Sequence, residues 1–135
     1  MYEKVIKVFT MRCDEQHSYR GRIEEIENTL EAKQAFVGGI IQCVHLTDEI
    51  DLICNDESKL INLPINRVWL YEGRVLDLLC GNLLACRHDS EGNFTSILES
   101  DIPVILEQCK ALYFIKGLPP FVIPEDETVE YKESK

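Results

Sequence analysis

The sequence predicts an α+β fold, a mainly antiparallel sheet with two helices packed on one face. Three observations lead there. Apolar residues recur in short, roughly alternating runs separated by turn-forming clusters, which is the pattern of strands. Two segments, near residues 28–39 and 100–117, carry the boundary signals of helices. The resulting order, β-β-α-β-β, then strands, then a helix, suits antiparallel strands with helices laid against them.

Each element follows from its residues. Glu3 to Met11 is a strand, with Val5, Ile6, Val8 and Phe9 in imperfect alternation. A polar loop, Arg12 to Ser18, leads to a second extended stretch from Tyr19 to Ile26. Its aliphatic anchors are only Ile23 and Ile26, which fits a sheet edge. Asn28-Thr29-Leu30-Glu31 opens a helix, with Asn28 as N-cap and Glu31 as a capping-box carboxylate. Leu30, Gln34 and Val37 share one side of it, and Gly38-Gly39 ends it, because glycine takes the left-handed conformation at little cost.

Ile40 to Leu46 is a strand with Ile41, Cys43 and His45 on one face; Thr47-Asp48-Glu49 turns, and Ile50 to Cys54 returns antiparallel. Asn55 to Ser58 is a second turn, and Pro64 excludes a central strand where it stands. Val75 to Leu79 and Leu83 to Arg87 are extended, joined at Gly81-Asn82. Asp89 to Asn93 is a surface loop. Ser100-Asp101 starts the second helix, with Pro103 in its first turn and Ile102, Ile105, Leu106, Cys109, Leu112 and Tyr113 at one-sided spacing up to Gly117.

The chain of 135 residues suits one domain, residues 1–117, followed by a Pro-containing extended segment and an acidic tail, 118–135. The first residues carry no basic segment followed by an apolar run, and no apolar stretch is long enough to span a membrane, so a cytoplasmic location is expected. In a reducing compartment the six cysteines are free thiols; Cys43, Cys54, Cys80, Cys86 and Cys109 lie in apolar runs and read as core residues. The formal net charge of −10 opposes direct nucleic-acid binding and favours a basic partner, including the nucleic-acid channel of another protein.

The chemistry-bearing residues suggest binding rather than catalysis. Cys80, Cys86 and His88 lie close in sequence, and Cys86 and His88 share a strand face, yet no Cys-x-x-Cys or His-x-x-x-His pairing accompanies them, so neither a metal nor another cofactor is expected. Cys43 and His45 share a face, where a buried histidine bonded to the backbone is the expected arrangement. Asp48, Glu49, Asp51, Asp56 and Glu57 form a solvated acidic rim, since residues 47–58 hold no basic residue. Lys59, Asn66 and Arg67, around Pro64, could present donors to an anionic ligand from a loop. Gly38-Gly39 follows a helix, whereas phosphate loops precede one, so these glycines are structural, as are Asn28, Pro64 and Gly81. The general expectation is that polar groups decorate the outside of a thiol-rich interior and gather around no reactive centre.

Ile26 to Glu31 with Gln34 and Val37-Gly38-Gly39, then Leu52-Ile53-Cys54-Asn55-x-Glu57-x-Lys59, then Leu63-Pro64-x-Asn66, resembles the domain-of-unknown-function 3846 family over about residues 3–87. That resemblance implies a role on plasmids, integrative elements or phages, near anti-restriction genes, and no agreed activity. Asn62, where the family often has glycine, and the region after His88 depart from the pattern. Three functions are therefore expected in order: a counter-defence protein that binds a host nuclease or other defence effector, a binder that sequesters a small nucleotide, and a structural or assembly module of the element.

Overall fold

The computed structural model describes residues 3–13, 21–113, 117–119 and 121–122. Two antiparallel sheets share one core. The first is ordered β2-β1-β7-β4-β3. It contains β1 (Val5–Met11), β2 (Gly21–Glu27), β3 (Ile41–His45), β4 (Ile50–Asn55) and β7 (Leu83–His88), and the short β8 (Phe94–Thr95) pairs with the far end of β7. The second is ordered β10-β9-β5-β6, from β5 (Ile65–Tyr71), β6 (Arg74–Cys80), β9 (Cys109–Tyr113) and β10 (Phe121–Val122). The helices are α1 (Leu30–Val37) and α2 (Ile102–Gln108). The antiparallel α+β expectation is met, and the stretch ending at Ile26 is an edge strand as its sparse anchors suggested.

The two helices do not share a face. Side chains alternate across a strand, so β4 sends Ile50, Leu52 and Cys54 one way and Asp51, Ile53 and Asn55 the other. The first set joins Phe9, Met11, Leu83 and Ala85 in a core closed by Ile102, Ile105 and Leu106 of α2 and by Leu79 and Cys109 of the second sheet. The second set faces Ile6, Val8, Leu84 and Cys86 under Val37 and Phe36 of α1. Every residue of β4 is buried, which requires cover on both sides.

Local chemistry departs from expectation at three places. Thr29, not Asn28, caps α1: its hydroxyl accepts from the Ala32 amide at 3.0 Å. Asn28 is buried instead, donating to the carbonyls of Glu3 (2.8 Å) and Phe94 (2.9 Å) and accepting from Lys33 (2.8 Å). With the cap moved by one residue, Glu31 lies in the first turn but not at the capping-box position. Gly38 closes the helix in the left-handed conformation (φ 82°), as its identity demands.

The second helix is shorter than predicted. It ends at Gln108, and Cys109–Tyr113 continue as β9 beside β5, with Arg67 opposite Ala111 and Trp69 opposite Cys109. A strand buries Cys109 and Ala111 on one face and supplies backbone partners to β5, which outweighs the helical spacing of the same residues. The predicted end of that helix, at residues 114–116, lies outside the described residues, as do parts of the 12–18 loop and the tail from 123. Pro64 itself stands outside any strand, as expected, but interior strand β5 begins one residue later, at Ile65, where the sequence predicts none.

Asn66 and Arg67 tie the sheets together. Asn66 donates to the carbonyls of Met11 (2.7 Å) and Gly81 (2.8 Å), and its own oxygen accepts from Arg67 Nη1 at 2.6 Å. Trp69 Nε1 donates to Gln108, which in turn donates to Leu46 O. Replacing Asn66 with alanine removes three buried side-chain hydrogen bonds at once. Urea unfolding of Asn66→Ala is expected to show a loss on the order of 3 kcal/mol.

Candidate functional site

Two places gather the residues that the sequence marked for function. The first is a cleft of about 220 Å³ between the β3–β4 side of one sheet and β6 of the other. Gln42 and Val44 of β3, Cys54, the turn from Asp56 to Leu60, Trp69 and residues Asp77 to Cys80 line it. The turn is held by its own polar side chains: Asn55 Oδ1 accepts from the Glu57 amide at 2.7 Å while its Nδ2 donates to Val37 O at 3.1 Å. Asp56, Glu57 and Lys59 therefore do meet in one site. Lys59 is ion-paired with Asp77, and this bond holds the Asp77 carboxyl below its ordinary range and the Lys59 ammonium above its own.

The other half of the predicted donor set is absent from that site. Arg67 is fully buried in β5, and Asn66 is buried beside it. Neither reaches a loop surface, so the expectation of an anion-binding group built from Lys59, Asn66 and Arg67 is corrected. Burial pulls the Arg67 guanidinium down to about 10. The reason is positional: both residues belong to a strand that runs between two others, where alternation sends Arg67 inward.

Beside the cleft the surface is unusually apolar. Leu60 is 81% exposed and Val75 64%, and Ile61, Leu76 and Leu78 are exposed with them. β6 is the outer strand of its sheet among the described residues.

The second place lies on the opposite face of the first sheet, at the end that α1 leaves uncovered. Asp51 was expected in a solvated rim, yet it is only 2% exposed. It is a strand residue paired with His45 across the hairpin and with Cys86 on β7. Its Oδ1 lies 2.6 Å from His45 Nδ1 and its Oδ2 lies 2.8 Å from His88 Nδ1. The imidazole rings stand edge to face, 5.8 Å apart. Ligand atoms of Cys43, His45 and Asp51 all lie within 4.8 Å of one another.

Two expectations are corrected here. His45 is not a buried, backbone-bonded histidine: its side chain is 70% exposed and pairs with a carboxylate. Cys43 is not a core thiol but an exposed one, while Cys54, Cys80, Cys86 and Cys109 are buried as predicted. Polar groups thus do converge, contrary to the general expectation. The signal was present in part: Cys43-x-His45 and Cys86-x-His88 each share a strand face, and Asp51 interrupts an apolar run. What the sequence lacked was the strand order that sets β3, β4 and β7 side by side.

The convergence is not an activated nucleophile. Desolvation, followed by the charge and hydrogen bond of Asp51, pushes the Cys43 thiol up to about 11, so at neutral pH it stays protonated. The remaining acids are scattered. Glu49 pairs with Arg87 at 3.0 Å, Arg87 also holds Asp101 at 2.7 Å, and Asp48 is exposed in the turn between β3 and β4.

The family model Domain of unknown function (DUF3846) matches residues 8–110, and the chain belongs to that family. No curated protein and no solved structure matches it. Among the described residues no helix is long and apolar enough to cross a membrane.

Two outcomes follow from these environments. Removing the ammonium in Lys59→Ala should let the Asp77 carboxyl titrate at a higher pH, as followed by NMR of its side-chain carbon. The sign is that of a depressed carboxylate: the pair's contribution is present above the ordinary carboxylate range and lost as pH falls through the folded value. Alkylation of Cys43 at neutral pH should be slow despite its exposure, and faster in Asp51→Asn, by mass spectrometry of the labelled peptide.

Proposed function

We propose that this chain is a non-enzymatic binding protein of a mobile element, a counter-defence factor that inhibits a host nuclease or other defence effector, such as a CRISPR or restriction system, by docking on it. The observation that carries the reading is the pair of exposed leucines Leu60 and Leu78 beside the acids Asp56 and Glu57, with Ile61, Val75 and Leu76 exposed on the same turn and strand. Large exposed aliphatics grouped on one edge strand and the turn beside it fit a surface that a partner covers, and an acidic border selects a basic one. The outer edge of β6 adds backbone donors and acceptors that a partner strand can use. The net charge of −10 is in keeping with a partner whose surface handles nucleic acid.

The nucleotide-sequestering alternative has less support. The cleft is smaller than pockets that enclose drug-sized ligands, roughly 300–1,000 Å³. Of its proposed donors, Asn66 and Arg67 are buried in the sheet and Lys59 holds Asp77. The assembly alternative draws on the same exposed edge, since two copies could pair through β6.

One experiment separates these readings. The full chain and a Leu76→Glu/Leu78→Glu variant are each used to capture partners from a host with active defence systems, and light scattering gives the mass of each alone. A monomer whose defence-effector binding falls at least roughly tenfold in the variant, and weakens as salt rises, is the expected result. Effector binding indifferent to both changes would sink the proposal, and a dimer lost in the variant would establish the assembly reading instead.

A further inference from the structure

Asp51 receives donors from three side chains on two neighbouring strands. His45 and His88 each direct Nδ1 at a different carboxylate oxygen, and the Cys43 thiol lies within 4.8 Å of the ligand atoms of Asp51 and His45. Each of those donors is a metal ligand in a different protonation state. An imidazole whose proton sits on the outward Nε2 offers Nδ1 as a lone pair, and a thiol that releases its proton to solvent offers a thiolate. A cation bound by Cys43, His45 and Asp51 would displace the protons that these groups hold now.

We propose that Cys43, His45 and Asp51 form a binding site for one divalent transition metal of the zinc type, with His88 holding the second oxygen of the Asp51 carboxylate. The ligand set is one thiolate, one imidazole and one carboxylate, which suits a borderline-soft tetrahedral ion with an open fourth position and not calcium or magnesium. Thiolate and carboxylate together neutralise the two positive charges, so the buried carboxylate gains a full counter-charge. Tetrahedral zinc sets neighbouring nitrogen and oxygen ligands roughly 3.3 Å apart. The present 2.6 Å separation of His45 Nδ1 and Asp51 Oδ1 therefore opens by roughly 0.7 Å. His45, on the exposed edge strand β3, has the freedom to make that shift.

The backbone pre-positions all four. Cys43 and His45 are two apart on β3 and so share a face; His45 and Asp51 are register partners; His88 lies two residues beyond Cys86, which is opposite Asp51. With three protein ligands the fourth position is open to water, and the ion would clip the edge strand β3 to β4. It lies on the other face of the sheet from the apolar cleft and does not depend on the docking reading.

The test uses the reduced, chelator-stripped full chain titrated with cobalt(II) and then zinc. Expected are one ion per chain, tetrahedral cobalt bands with a thiolate-to-cobalt charge-transfer band, displacement by zinc, and a higher melting temperature with zinc in excess. Cys43→Ser should lose the charge-transfer band, and Cys13→Ser, which removes a part-exposed thiol elsewhere, should keep it. His88→Ala should weaken uptake at least tenfold. Circular dichroism of each metal-free variant checks that it folds, and both Cys43 and His45 are exposed enough to replace safely. No saturable uptake, a charge-transfer band that survives Cys43→Ser or vanishes in Cys13→Ser, or undiminished affinity in His88→Ala would each overturn the site.

Discussion

Strand β4 has neighbours on both edges and cover on both faces, and this double burial constrains everything around it. A strand in that position cannot slip by one residue, because each side chain would move to the wrong core. Its register with β3 and β7 therefore sets three things together. It assigns Leu52 to the core beneath α2, assigns Ile53 to the core beneath α1, and buries Asp51 among histidines. A carboxylate in the middle strand of a sheet is costly unless it is fully bonded, and the two imidazoles supply that bonding.

Buried polar residues do similar work elsewhere. Asn28 joins the start of α1 to the segment leading into β1 and to β8, Asn55 joins the end of α1 to β4, and Asn66 joins β1 to the β6–β7 turn. Each asparagine satisfies backbone groups at points where ladders end and no neighbouring strand is available. The asparagines Asn28, Asn55 and Asn66 are thus structural ties, which leaves the turn from Asp56 to Ile61 and the β6 surface as the exposed part of that region.

Legibility in the sequence followed the range of the interactions. The glycine stop at Gly38, the hairpin of β3 and β4 and the turn at Gly81 were legible because each is decided within a few residues. The residues of β9 were not, since Cys109, Leu112 and Tyr113 keep a helical spacing and only the presence of β5 makes a strand better. Arg67 misled for the same reason: beside Pro64 it reads as a loop donor, and only pairing with β6 and β9 turns it inward. Of the candidate site residues, Asp56, Glu57 and Lys59 stayed where local turn chemistry placed them.

The sequence by itself determined the antiparallel α+β class, the acidic surface, the free thiols and which residues share a strand face, because alternation and turn chemistry are properties of neighbours along the chain. Tertiary structure alone decided which strands lie side by side. That order put the helices on opposite faces, drew Asn66 and Arg67 into the interior, and set Cys43 and His45 and, from the other side, His88 around Asp51, since contacts across a sheet depend on pairing that no local pattern encodes.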